Sequence, residues 1–143
     1  MAPPQRDDPY KAFNFLVQLE GVASASFSEA SGLESETTII EYRVGDNPII
    51  RKLAGLTMFR NIVLRRGITL NRDLYDWRKS IIEGNPDRRD GQIILLDDQR
   101  NEVLRWNFSN GWLCKWEGPT LSAESNEVAI ESIEIAHEGL ELE

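Results

Sequence analysis

Residues 13–19 run Phe-Asn-Phe-Leu-Val-Gln-Leu, which places Phe13, Phe15, Val17 and Leu19 on one side. Apolar positions recurring every second residue describe a half-buried strand, because successive strand side chains point to opposite faces. Gly21 turns the chain, and residues 24–28 predict a short second strand of small side chains. Residues 36–43, β-branched and aromatic, predict a third. Residues 57–66 predict a fourth, ended by Gly67. Residues 92–96 are apolar on both faces, the pattern of a central strand. Residues 97–101 are polar and predict a turn.

One stretch follows a different period. Leu74, Trp77 and Ile81 share a face at helical spacing, predicting a helix over about 72–83. Asn71 is a suitable N-cap, and Leu70 with Tyr75 occupy hydrophobic-staple positions. Gly84 suits a left-handed C-terminal residue, and Pro86 prevents resumption.

Three segments carry mixed signals. Residues 44–56 contain two glycines and a proline, so they predict a long extended loop or a protruding hairpin. Yet Ile49, Ile50, Leu53 and Leu56 make this segment unusually apolar. It either folds back over its own core or docks on another subunit. Asn110-Gly111 between residues 103–109 and 112–116 predicts a hairpin turn, since both central positions favour positive φ. That register pairs Phe108 with Leu113, Trp106 with Lys115, Arg105 with Trp116 and Asn107 with Cys114, leaving the two tryptophans on opposite faces. In residues 126–142, Val128 and Ile130 fall on even positions while Ile133 and Ile135 fall on odd ones. A straight strand cannot bury both pairs, so either a bulge lies near Glu131-Ser132 or the strand passes between two sheet environments. Many short strands and one helix predict a mainly β fold, a small barrel or sandwich with the helix on its flank. A flexible arm over residues 1–9 precedes a single domain over residues 10–143.

Composition narrows the function. The chain has 143 residues, enough for one core without staples, and a net charge of −8. A single cysteine, Cys114, excludes an internal disulfide and cysteine-based zinc sites. The longest aliphatic run, Ile93 to Leu96, is far short of the ~18 residues of a membrane span, so no membrane insertion is expected. The polar residues 1–9 lack the apolar stretch of a signal peptide, which predicts synthesis in the cytoplasm.

Candidate chemistry is sparse. His137 is the one imidazole, in a Glu-rich segment without a serine elbow or other positioned nucleophile, so a structural role is favoured over a catalytic base. Cys114 lies in a Trp-rich strand and reads as a packed apolar residue rather than a reactive thiol. Glu34 with Glu36, Asp97 with Asp98, and Glu131 with Glu134 are pairs that an acidic chain produces freely. No phosphate-cradling loop is present. Arg60, Arg65, Arg66, Arg88 and Arg89 suggest either nucleic-acid contact or ion pairing, and the acidic balance favours pairing. No enzyme activity and no cofactor are expected.

The order and spacing of several short motifs resemble a known family. They are Asp8-Pro9-Tyr10 leading into Phe13-Asn14-Phe15, then Phe27 with Ser31-Gly32-Leu33, and Glu41-Tyr42-Arg43 with Gly45. Lys52-Leu53-Ala54-Gly55, Arg65-Arg66-Gly67, Leu74 with Trp77 and the closing run 126–140 follow. Together they are similar to the tail-tube protein of contractile phage tails and phage-tail-like contractile injection systems, and to the type VI secretion tube subunit. Ala54 departs from the pattern, where proline is expected before the glycine.

The resemblance implies a β-barrel or sandwich subunit that forms hexameric rings, stacked into a hollow tube that conducts cargo protein or DNA. It implies partners: further copies of the chain, a sheath protein, baseplate or spike proteins and a tube-end cap. Assembly would follow into a phage tail or injection particle. It implies a ring-to-ring contact at Gly45, Asp46, Asn47, Pro48, Ile49, Ile50, Arg51 and Leu53. Two alternatives remain open: a tube-initiating ring near the baseplate, and a monomeric ligand-binding barrel.

Overall fold

A computed structural model describes residues 8–22 and 27–143. The described chain is mainly β, in antiparallel pairings, with one helix. The strands are β1 (Phe15–Leu19), β2 (Glu29–Ser31), β3 (Ser35–Tyr42), β4 (Arg51–Phe59) and β5 (Ile62–Gly67). After helix α1 (Asp73–Ile82) come β6 (Arg89–Leu96), β7 (Glu102–Glu117), β8 (Ile130–Ala136) and β9 (Leu140–Leu142).

Seven strands follow the path β1-β6-β7-β8-β5-β2, with β9 added beside β7. The path ends at β1 and β2, so among the described residues the sheet does not close into a barrel. It is a sandwich whose two halves share β7. The first part of β7 pairs with β6 and β9, and its last part pairs with β8. Val17, Leu19, Ile62, Leu64, Ile93, Phe108, Leu113, Ile133 and Ile135 fill the interior from both halves, and Leu74 and Trp77 of α1 complete it.

Asn110-Gly111 therefore does not turn the chain. β7 runs through it as one strand of 16 residues. Gly91 pairs with Phe108 and Arg89 with Gly111, so two steps on β6 match three on β7. The extra residue is a bulge, with Asn110 at φ 53°. Positive φ serves a bulge as well as a hairpin turn, so the dipeptide marks a change of direction without saying which. Here the Asn110 N–H donates to Asp90 Oδ1 at 3.0 Å and its amide donates to Glu138 Oε2 at 3.0 Å, holding the kink. The expected pairing of residues 103–109 with 112–116 is replaced by pairing with β6, β9 and β8. Trp106 and Trp116 both pack against the core instead of lying on opposite faces.

The phase defect near the C-terminus resolves differently too. Val128 precedes β8, and inside β8 the buried positions are Glu131, Ile133 and Ile135 without a break. The bulge sits on the partner strand at Cys114, between the pairs Leu113–Ile135 and Lys115–Glu134. The expected passage between sheet environments does occur, but as two strands, β8 on one half and β9 on the other.

Helix α1 forms where expected, but its N-cap is Arg72, which makes no side-chain capping bond, and not Asn71. Asn71 stands one residue earlier, where its Oδ1 accepts from the Asp73 N–H at 2.9 Å. At the other end, Asn85 N–H donates to Ser80 O and Gly84 N–H to Ile81 O, with Gly84 at φ 97°. Those two bonds define a Schellman cap. The Leu70–Tyr75 staple is absent: Leu70 is 100% exposed, while Tyr75 packs edge-on against Trp116 at 5.3 Å.

Three other expectations change. Residues 57–66 are not one strand, because the chain breaks at Arg60-Asn61 between β4 and β5. Phe13 does not join the inward row of β1 and is 71% exposed. The predicted strand over 24–28 lies mostly outside the described residues; β2 begins at Glu29. The arm over 1–9 also lies outside them, except Asp8 and Pro9.

Candidate assembly surface

Strands β3 and β4 form a separate two-stranded sheet. They pair from Ser35–Phe59 at the base to Tyr42–Arg51 at the outer end. They pack substantially on each other and on no other strand or helix. The long loop expected over residues 44–56 is thus a protruding hairpin. Its turn spans residues 43–50, and Arg51, Leu53, Ala54, Gly55 and Leu56 belong to β4. Glycine misled there because it marks a bulge. Thr37 pairs with Thr57 and Ile39 with Ala54, so Thr38 faces an extra residue. The Thr38 hydroxyl accepts from Leu56 N–H at 2.9 Å and lies 3.3 Å from Leu56 O. A Cβ on Gly55 would stand 2.4 Å from Thr38 Oγ1 and 3.1 Å from Thr38 O.

The turn is built as well. Asn47 Oδ1 accepts from Ile49 N–H at 3.0 Å, Asn47 N–H donates to Val44 O, and Arg43 Nε donates to Asn47 O at 3.3 Å. Gly45 takes φ 55°. Of the eight residues expected at a contact, Gly45 to Ile50 make the apex while Arg51 and Leu53 begin the returning strand. All are exposed except half-buried Asn47.

Every residue of β3 is exposed. Cross-strand partners point the same way, so Ile40, Tyr42, Leu53 and Arg51 share one face of the ribbon, and Ile39, Glu41, Ala54 and Lys52 the other. Ile39, Ile40, Tyr42, Val44, Ile49, Ile50, Leu53, Leu56 and Met58 are all exposed apolar side chains. A lone two-stranded ribbon is marginal in water. Contiguous exposed apolar surface is a general mark of interaction sites on soluble domains.

The base of the hairpin is anchored. Arg60 N–H donates to Glu34 O, and Arg60 Nε meets Glu34 Oε1 at 3.0 Å. Both His137 ring nitrogens face backbone carbonyls, Arg60 O at 3.0 Å and Gly139 O at 3.1 Å. Its ring lies between Phe59 and Phe108, each centroid 6.0 Å away. His137 thus ties the hairpin base to the β8–β9 link and faces no nucleophile among its described contacts.

The remaining candidate groups are spread through the fold. Cys114 lies 3.4 Å from Glu134 O, and partial burial followed by the Glu134 charge pushes its thiol above the ordinary range. The arginines pair within the chain: Arg65 with Glu29, Arg66 with Glu131, Arg88 with Glu138 and Arg89 with Asp87. Of the acid pairs, Asp97 Oδ1 accepts from Gln99 and Asn101 N–H to shape the β6–β7 turn, while Glu131 is buried away from Glu134 on alternate faces of β8. The Arg105 side chain bonded to Glu102 holds that carboxyl below the usual range. No helix of the described residues is long and apolar enough to cross a membrane.

Solved structures carry the same architecture. A chain of the PVC sheath-tube complex, an extracellular contractile injection system in its extended state, is 28% identical, with 94% of this chain and 91% of that one covered at a TM-score of 0.85. A chain of the anti-feeding prophage tube-terminating cap structure is 26% identical, covering 99% and 95%, at 0.88. A type six secretion system protein, 10% identical over 92% and 83%, shares the fold at 0.62. No curated protein matches the sequence. The family model for the T4-like virus tail tube protein gp19 matches residues 11–141, nearly the whole chain, and the protein belongs to that family.

Proposed function

We propose that this tail-tube subunit assembles into hexameric rings that stack head to tail, with the hairpin apex as the ring-to-ring contact. The observation that carries this is the ribbon itself, an apolar hairpin that leaves its own sandwich and stays exposed among the described residues. Fully burying one branched aliphatic side chain is worth ~1.5–3 kcal/mol, so Ile49, Ile50 and Leu53 together supply a substantial driving force. A contact between two different patches repeats indefinitely and builds a filament.

Residues 10–143 act as one tube-subunit domain, made in the cytoplasm and built into a phage-like particle. Its further partners are a sheath outside the tube, a baseplate or spike complex at one end and a cap at the other. The role is structural rather than enzymatic. The charge of −8 per chain, multiplied around a ring, would repel DNA or acidic cargo from any acids that line the channel and so favour passage.

The test is the double variant Ile49→Asp, Ile50→Asp, imaged by negative-stain electron microscopy. Rings without tubes, with an unchanged melting temperature, are expected. Tubes of normal length would refute the apex contact. Wild-type protein that stops at single rings at every concentration would instead mark a tube-initiating ring.

A further inference from the structure

A head-to-tail contact needs a second, different surface to receive the apex, and the topology places one. Strand β5 runs from Ile62, beside the hairpin base, to Gly67. Antiparallel β8 pairs Ile135 with Ile62 and Ile130 with Gly67. Glu117, the last residue of β7, pairs with Ser132 near that second end. The hairpin therefore leaves one end of these strands. The β7–β8 connection, residues 118–129, and the β5–α1 turn sit at the other. Six residues at ~3.3 Å each separate the ends by roughly 20 Å.

That far end carries exposed apolar side chains. Leu121 is 82% exposed, Val128 73% and Ile68 43%, and Leu70 follows two residues along the same turn. Ile68 and Val128 lie on neighbouring segments: Ile68 N–H donates to Ala129 O at 2.9 Å, and a Cβ on Gly67 would stand 3.7 Å from Val128 Cγ1. Leu121 and Val128 also line one recess of about 260 Å³, whose other walls include Thr120, Ser122, Ser125 and Glu127.

Charge complements shape. Residues 43–52 at the apex carry Arg43, Arg51 and Lys52 against one acid, Asp46. Residues 118–129 carry Glu124 and Glu127 and no cation. Resting on the stacking mode proposed above, we propose that the surface of Ile68, Leu121 and Val128 is the acceptor, on which the hairpin apex of a second copy seats. Ile49 and Ile50 enter the recess, and Arg51 and Lys52 reach Glu124 and Glu127.

Disulfide trapping separates this from the stacking mode itself. In a Cys114→Ser background, one chain carries Ile49→Cys with Val128→Cys, and matched chains carry either change alone. Assemblies are imaged, oxidised and run on non-reducing gels. A ladder of covalent multimers from the double variant, absent from both single variants, is expected. Tubes that form without a ladder, both with Val128→Cys and with Leu121→Cys as partner, overturn the acceptor and leave stacking intact. Ile49→Cys cross-linking to itself overturns the head-to-tail arrangement. Wild-type protein that never forms tubes overturns stacking and the acceptor with it. If the cysteine variants fail to assemble, a charge swap decides. Glu124→Lys with Glu127→Lys should abolish tubes, and adding Arg51→Glu with Lys52→Glu should restore them. Failure of that rescue, with rings intact, also overturns the acceptor.

Discussion

Arg66 on β5 and Glu131 on β8 are direct cross-strand partners, and Arg66 Nε donates to Glu131 Oε1 at 2.6 Å with both side chains buried. Glu131 Oε2 also accepts from Trp116 Nε1 at 3.1 Å, and Arg66 Nη2 reaches Asn71 O at 3.4 Å. Arg66 lies under the Phe27 ring at 5.7 Å, and its Nη1 has no hydrogen-bond partner among the described residues. One ion pair thus links β5, β7, β8 and the start of α1.

Removing one member of such a pair leaves the other charge buried and uncompensated. Glu131→Ala should cost about 3–5 kcal/mol, read by chemical denaturation. Arg66→Met with Glu131→Leu should recover most of that loss, because apolar replacements of similar size need no counter-charge. A single variant as stable as wild type would show that the pair is dispensable.

Gly55 tests whether assembly depends on hairpin shape as well as hydrophobicity. Gly55→Ala drives a methyl into Thr38 Oγ1 and distorts the bulge. The hairpin stands apart from the core, so the melting temperature of unassembled protein should hold. Tube yield in electron microscopy should fall several-fold. A large drop in melting temperature would instead tie the hairpin to core stability.

The Cys114 thiol is held above the ordinary range by burial first and Glu134 second. Its alkylation rate should therefore stay low at pH 8 and rise only at higher pH, and Glu134→Gln should shift that profile downward. The folded-state pKa is raised, so the matching stability is fully present below the unfolded thiol's pKa of ~8.5. It is lost as pH rises through the folded value. Rapid labelling at pH 8 would contradict the shift.

Local rules carried much of the fold. The alternation around Val17 and Leu19, the two-faced apolar run at Ile93-Ile94 and the spacing of Leu74 with Trp77 all mark buried positions in the structure. They are legible because period and side-chain size reflect one face of one element. The apolar character of Ile49, Ile50 and Leu53 was legible too, and so was the choice it left between self-packing and docking. Leu121 and Val128 were not singled out as a surface. Each is one apolar residue in a polar loop until pairing brings that loop beside Ile68.

Asn110-Gly111 and Gly55 show where local rules stop. Either sequence is compatible with a turn or a bulge, since both demand the same backbone. The amino-acid sequence alone determined the family, the strand-rich character, the helix with its Gly84 C-terminal cap and the excess of apolar side chains between 39 and 58. Tertiary structure alone decided that β7 passes straight through its kink and that Glu131 faces inward to meet Arg66. It also decided that the hairpin stands clear of the core at one end, with the loop that carries Leu121 and Val128 at the other. Those outcomes depend on pairing between residues far apart in the chain, and pairing energy is shared among many contacts that no short window contains.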